Sequence, residues 1–451
     1  MARGFAFLGR NWCIQLSMRI IWPLILLVSS ALPVVAQKAQ PVEHRFPLVQ
    51  INVSGSQRYS NQAIVAYLGL RTGQQVSQKE LEAASQKLAD SGLFSLVQFR
   101  FGMAGNGVVA NFDLADNTKL VPIEFENLVW FSPNELTTTI KQKLPLFSGV
   151  VPLSGSFNEQ IREALQAVIQ SKGIQGTVTS LPMGRLGDIS SMLYKVEGNE
   201  IRVTDCEFAG AENGDRLELF ELTKYLGKVK YEKSFVNAAI QSRLKDMYDA
   251  KGYLGARFGE PVVRVGSTAP DHTDVALTVA VAEGRPFTFA GIEWKGNTVY
   301  SADELLKVTK MKPGQVAAIP KFRQDLDSVK ILYGRKGYLG VKMEFTPVLA
   351  VDNTAVFNVE LREGKQYRLG KIDATGVPAG VLSKMAAEWQ IKPGDIYDAS
   401  YPQLYMATKF GKYIPQPLRW EWHNREVIHD DTQTVDLLIE VEIKPASSAG
   451  K

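Results

Sequence analysis

Cysteine is almost missing from this chain: 451 residues contain two, Cys13 and Cys206. Cys13 falls in an apolar leader, so a processed chain keeps Cys206 alone and closes no intramolecular disulfide. Histidine is scarce too, at four. His44 falls in an expected linker, and His272 sits between Asp271 and Asp274 in an expected hairpin loop. His423 and His429, near Asp430 and Asp431, are the one grouping of metal-ligand types. Six residues apart across an expected turn, they match no zinc spacing. No GxSxG elbow, P-loop, HExxH or dinucleotide fingerprint occurs. The sequence therefore gives no catalytic residue, no metal site and no cofactor.

Excess charge is also lacking. Arg3, Arg10 and Arg19 supply three of the +4 formal charges, and the first 36 residues hold no acid. The rest of the chain is close to neutral and carries no footprint for nucleic acid. Long apolar runs are absent beyond the leader, and nothing there reaches the roughly 20 residues a membrane helix needs. The leader places Arg19 before the apolar run Ile20 to Val28 and small residues at Val34, Val35 and Ala36. That is the order of a secretory signal peptide cleaved between Ala36 and Gln37. Translation starting at Met18 gives a more compact signal than Met1. An uncleaved N-terminal anchor is the alternative.

Internal repetition is what the sequence has in abundance. Four segments read apolar, any, apolar, two of any, apolar, any, apolar, any, glycine. They are Phe46, Leu48, Ile51, Val53, Gly55; Ile201, Val203, Cys206, Phe208, Gly210; Phe287, Phe289, Ile292, Trp294, Gly296; and Tyr367, Leu369, Ile372, Ala374, Gly376. Alternation marks a strand with one buried face, and the double step in the middle predicts a bulge. A fifth copy begins near Thr118, with Leu120, Ile123 and Phe125. Asn127 stands there in place of glycine, and a left-handed backbone is expected.

Each strand is followed by a short helix pattern, as at Ser301 to Val308, where Ser301 and Glu304 form a capping-box signature. Turn glycines follow at Gly73, Gly149, Gly227, Gly314 and Gly394. A second helix comes next, with Leu81, Ala84 and Leu88 inward in the first copy. In the fourth copy the inward set is Phe322, Leu326, Val329, Ile331 and Leu332. Glycine ends this helix at Gly92, Gly173, Gly252 and Gly337. Two strands close the unit, the last one strictly alternating (Val275, Leu277, Val279, Val281). Glu-Gly follows at Glu197, Glu283 and Glu363. Pro261 and Pro347 put the penultimate strand at a sheet edge, because proline donates no ladder hydrogen bond. Cys206 occupies a core position of the repeat, and Tyr253 and Tyr338 are expected to pack on their own small cores.

The unit, β-α-α-β-β over about 70 to 85 residues, with Gly296-Asn297 after strand one and Lys336-Gly337-Tyr338 after helix two, resembles the POTRA (polypeptide-transport-associated) module. Lys251-Gly252-Tyr253 repeats that pattern. The resemblance runs from Phe46 to Ile443 and is to the periplasmic part of BamA-type outer-membrane assembly factors. The expected fold is α+β, with five tandem modules, each a three-stranded mixed sheet with two helices on one face. The expected boundaries are signal peptide 1–36, linker 37–45, modules 46–117, 118–198, 199–284, 285–364 and 365–444, and a polar tail 445–451. With the chain closing on that tail at Lys451 and no terminal aromatic, a membrane β-barrel is not expected in it.

What the resemblance implies is a non-enzymatic periplasmic scaffold of a Gram-negative bacterium, associated with the outer membrane. Its partners would be outer-membrane β-barrel proteins, their unfolded precursors or other assembly-complex subunits. An exposed strand edge can add an extended peptide through backbone pairing. Two edges are expected to do so: Ala256 to Val265, with Ala256, Arg257, Phe258, Val262 and Arg264; and Val341 to Leu349, with Val341, Lys342, Met343, Glu344 and Phe345. The same charges and prolines also serve simply to protect an edge from aggregation. A division or secretion scaffold held at the inner membrane, or a structural spacer, are the alternatives in function.

Overall fold

The computed structural model describes residues 44–185, 187–415 and 418–444. The leader, its expected cleavage at Ala36 and Gln37, and the polar tail lie outside these residues.

The described chain is α+β and builds five small mixed sheets in succession. The first unit holds β1 (Arg45–Ser54), α1 (Asn61–Leu68), β2 (Gln75–Ser77), α2 (Gln78–Ser91), β3 (Phe94–Ala104) and β4 (Gly107–Asp116). The second holds β5 (Leu120–Phe125), α3 (Pro133–Lys143), β6 (Val150–Pro152), α4 (Phe157–Ser171), β7 (Thr177–Arg185) and β8 (Asp188–Glu197). The third holds β9 (Glu200–Ala209), α5 (Arg216–Leu226), α6 (Lys233–Ala250), β10 (Arg257–Phe258), β11 (Val262–Thr268) and β12 (His272–Ala282). In the fourth are β13 (Thr288–Lys295), α7 (Ala302–Val308), α8 (Ile319–Gly334), β14 (Lys342–Leu349) and β15 (Thr354–Arg362). In the fifth are β16 (Arg368–Thr375), α9 (Ala379–Glu388), α10 (Tyr401–Thr408), β17 (Arg419–His429) and β18 (Thr434–Lys444).

Every sheet follows one plan. The last strand lies in the centre, parallel to the first strand and antiparallel to the penultimate one, which takes an edge. Three sheets depart from the expected three strands; in two of them short β2 and β6 add a fourth beside β1 and β5. In the third unit the edge is broken into β10 and β11, which both pair with β12. The expected bulge in strand one is present in four units, as a register shift at Leu48/Gln50, opposite Val275/Ala276, at Phe289/Gly291 and at Leu369/Ile372. It returns later side chains to the core side, as the doubled step requires.

The repeated glycine after strand one meets two demands at once. Gly55, Gly210, Gly296 and Gly376 all have positive φ, between 74° and 91°. A Cβ at Gly296 would lie 2.2 Å from the Leu361 carbonyl oxygen, and one at Gly376 1.8 Å from that of Val441. Asn127 corrects the expectation for the second unit, since it is not among the residues with positive φ. Its side chain takes over the bridging instead. Nδ2 donates to the Val196 carbonyl at 2.8 Å, and Oδ1 accepts from the Val196 N–H at 2.7 Å.

Capping boxes start α2, α3 and α7 at Ser77/Glu80, Ser132/Glu135 and Ser301/Glu304. The central strands bury every second side chain, as with Val275, Leu277, Val279 and Val281 on β12. Each such side chain contributes about 1.5–3 kcal/mol of transfer free energy against the entropy of ordering it. Cys206 is buried in the third core, where burial pushes its thiol up to about 12. On α8, Ile331 is exposed, and Tyr333 takes the inward place expected of it. Tyr253 and Tyr338 pack edge-on against Tyr248 and Tyr333 of their own units.

The Glu-Gly glutamates fasten the loop after strand one. Glu363 accepts from the N–H groups of Thr298 and Val299 and from the Tyr333 hydroxyl of α8. Glu283 accepts from Asn213 and Tyr248 in the same way, and Asp116 from Ser56, Gln57 and Arg58. Burial alone would raise these carboxyls, but the converging donors hold all three below their usual range.

Candidate polypeptide-binding edges

Each unit leaves its penultimate strand with one neighbour, so β3, β7, β10 with β11, β14 and β17 present one unpaired side. Position in the sheet follows from the unit's connectivity. The last strand crosses to the middle to pair with the first, which pushes the hairpin partner outward.

The two edges expected from the sequence differ from that expectation in detail. Ala256 to Val265 is not continuous, because pairing stops at Phe258 and resumes at Val262. Pro261 lacks an N–H, and across the break Gln241 of α6 donates to the carbonyls of Phe258 and Gly259. Phe258 turns inward and packs 5.5 Å from Tyr248. Met343 and Phe345 also turn inward, with Phe345 4.9 Å from Phe322. Ala256 and Val341 are half-buried just ahead of their strands. These five therefore serve the cores, and the outward set is Arg257, Val262, Arg264, Lys342 and Glu344.

Outward charge is arranged differently on the two strands. On β14, Lys342 stands opposite Arg362 and Glu344 opposite Glu360, so each charge has its complement on the diagonal. On β10 and β11, Arg257 stands opposite Ala282 and Arg264 opposite Ala276. Neither arginine forms an ion pair among the described residues. Beside them Val262 is 68% exposed.

The start of β11 also opens onto a cleft of about 350 Å³ between the second and third units. Trp130 and Phe131 of the second unit face Pro261, Val262 and Val263 of the third across it. The cleft walls are fixed: Trp130 Nε1 donates to Thr273 Oγ1 at 3.2 Å. Glu126 Oε1 accepts from the Ser234 N–H and Oγ at 2.9 Å each, at the start of α6. Sequence reading missed this cleft, because its two halves lie about 130 residues apart in the chain. It also missed β3, where Leu96 is exposed, Phe101 and Met103 are exposed on the core-side face, and Arg100 is the single charge of the strand. The want of proline and of charge from 94 to 104 was the available signal.

His423 and His429 belong to one strand, β17, and are not separated by a turn. His429 Nε2 lies 3.1 Å from Asp436 Oδ2, while Asp430 accepts from the Tyr367 hydroxyl. His272 opens β12 and lies beside Asp271. Among the described residues no helix is long and apolar enough to cross a membrane.

Joints between units reuse the glycine that ends helix two. Gly252 and Gly337 offer their carbonyls to the Phe287 and Tyr367 N–H groups of the next unit, both at 2.8 Å. Gly92 accepts from Asn117 Nδ2 at 2.8 Å. Gly173 has no heavy atom within 4 Å of a Cβ position, and the second joint relies on Trp130, Glu126 and Asn199 instead.

Against known proteins, residues 287–364 match the POTRA model, "Surface antigen variable number repeat". The outer membrane protein assembly factor BamA of Neisseria meningitidis is 25% identical over 183 residues, 37% of this chain and 22% of that protein. A putative outer membrane protein assembly factor of Treponema pallidum is 25% identical over 170 residues, 36% of this chain and 20% of that protein. The chain thus spans about a fifth of the length of these curated relatives. The crystal structure of POTRA3-5 of Haemophilus influenzae BamA aligns with a TM-score of 0.37 at 17% identity, covering 54% of this chain and 96% of that one. Residues 287–364 match the POTRA module, and the chain around them resembles the POTRA region of BamA-type outer-membrane assembly factors.

Proposed function

We propose that this chain is a non-enzymatic periplasmic scaffold that binds polypeptides and assembly partners during outer-membrane protein assembly or transport. Its five units divide at 46–117, 118–198, 199–284, 285–364 and 365–444. The clients are outer-membrane β-barrel proteins or their unfolded precursors, met at the outer membrane of a Gram-negative bacterium beside other assembly subunits. The observation that carries this reading is the repeated free edge: in every unit the penultimate strand keeps one side without a neighbouring strand. Backbone pairing at such an edge is tolerant of sequence, which suits varied unfolded clients. The named relatives agree with that setting.

The two edges proposed to act are those of the third and fourth units, through the outward residues Arg257, Val262, Arg264, Lys342 and Glu344 and the backbone beside them. A photo-crosslinking amino acid at Val262 or Val348, in cells, is expected to trap outer-membrane precursors. The same probe at Leu217, on helix α5 of the third unit, is expected to trap far less. Equal crosslinking at all three would sink the edge reading. Recovery of intact leader with inner-membrane division or secretion proteins would favour the inner-membrane alternative. A spacer would give no client crosslink at any position.

A further inference from the structure

We infer that the edge of the third unit selects its ligand, preferring an extended segment that places an acidic side chain opposite Arg264 and a large apolar one toward the cleft beneath Phe131. This rests on the edge reading above and adds specificity to it.

A strand added to β11 brings its own side chains within about 4.5–5.5 Å of those directly opposite. Arg264 forms no ion pair among the described residues, and its direct neighbour across the ladder is Ala276, which offers neither charge nor bulk; Asp274, on the diagonal, accepts instead from Ser267 Oγ at 2.7 Å. Arg257 repeats the situation opposite Ala282. Glu260, the acid between them, is taken by Lys233 at 3.2 Å. The edge therefore presents two arginines on one face that form no ion pair among the described residues. On β14 acid and base alternate on both strands of the ladder, so that edge offers no single sign of charge to a ligand.

Apolar selectivity comes from the other end of β11. Side chains two apart share a face of a strand, so a residue two positions from the acid lies opposite exposed Val262. Beyond Val262 the surface falls into the 350 Å³ cleft, where Trp130 and Phe131 form the far wall. A cleft of that size accepts one large side chain, and an aromatic one matches its lining. The predicted ligand pattern is thus acid, any, aromatic, within an otherwise alternating segment. Membrane strands alternate in the same way and carry aromatic residues where they meet the interface.

The test uses the processed chain and dye-labelled peptides of about ten residues, the length of a membrane strand. All alternate threonine and valine around a central Asp-Thr-Trp, Lys-Thr-Trp or Asp-Thr-Ala. Fluorescence anisotropy is expected to show the Asp-Thr-Trp peptide binding about tenfold tighter than its lysine version. Arg264→Glu should invert that order, and raised salt should shrink it. Replacing the tryptophan with alanine should weaken binding, and Phe131→Ala should erase the difference between those two peptides. Circular dichroism checks that both variants fold. If they do not, the comparison of peptides on the unaltered chain still decides. Equal affinity for the acidic and basic peptides overturns the selectivity while leaving the edge reading intact. No binding of any peptide, together with no crosslinking at Val262, overturns both.

Discussion

The second and fourth units close the same gap with different chemistry. In the fourth, the chain leaves strand one through Gly296 in a left-handed turn pressed against the Leu361 carbonyl. Glu363 then gathers the Thr298 and Val299 N–H groups and the Tyr333 hydroxyl. In the second, Asn127 stands in the glycine's place, keeps an ordinary backbone, and clamps both polar groups of Val196 with its amide. Glu197, the counterpart of Glu363, is released to the surface and pairs with Lys195 at 3.1 Å. The repeat preserves a geometric requirement, that loop and last strand be tied, and not a residue.

If that is right, Gly296→Ala should be the most damaging single change. It adds a Cβ 2.2 Å from a backbone oxygen and imposes a positive φ on alanine. A loss of more than about 3 kcal/mol is expected for the fourth unit, since backbone against backbone has nowhere to relax. Asn127→Gly, in the second unit, removes the clamp without a clash and should cost less. Hydrogen exchange resolved by unit is the proper readout, because a multi-unit chain does not unfold in one step. Equal losses in the two units would break the comparison.

Glu363→Ala comes next. It strands the Thr298 and Val299 N–H groups and the Tyr333 hydroxyl, each accustomed to a charged acceptor. About 2–3 kcal/mol is expected, with protection lost first around residues 298–300. Asn127→Ala should cost somewhat less, about 1–2 kcal/mol, because it withdraws two neutral hydrogen bonds from one neighbour. A Glu197→Ala control should change little, since the Glu197 side chain is half exposed and its one partner is the Lys195 ammonium. A large effect there would show that the acid, and not the tie, is what the repeat preserves.

Much of this fold was readable in the sequence, for a physical reason. Period-two burial, bulges, capping serines and turn glycines are local, and the units repeat them. The outer place of the penultimate strand follows from Pro261 and Pro347, which donate no ladder hydrogen bond, whereas the parallel pairing of the first and last strands joins segments about 60 to 70 residues apart and leaves no local mark. The candidate site was less readable. Edge position can be inferred, but which side chains face out depends on the register, and Phe258, Met343 and Phe345 turn toward the cores and stay only partly exposed. The role of Asn127 was hidden because its partner, Val196, is 69 residues away. The cleft at Phe131 was hidden in the same way, since it exists only where two units meet.

Acid offers a gentler test of the two ties. The donors around Glu363 hold its carboxyl below the usual range despite the opposing effect of burial. A depressed folded pKa means the unfolded chain binds the proton more readily. The tie's contribution is therefore full above the unfolded carboxyl value of about 4.3 and declines as pH falls through the folded value. Asn127 does not titrate in this range. Between pH 6 and about pH 3, protection of residues 298–300, corrected for intrinsic exchange, should fall relative to that of Val196. The shift should be smaller than in Glu363→Ala, since a protonated carboxyl still accepts one hydrogen bond and keeps its volume. In Glu363→Gln, which has no charge to lose, the acid-dependent part should vanish. A decline of the same size in Glu363→Gln would place the acid sensitivity elsewhere in the fourth unit and leave the two ties alike in everything but their atoms.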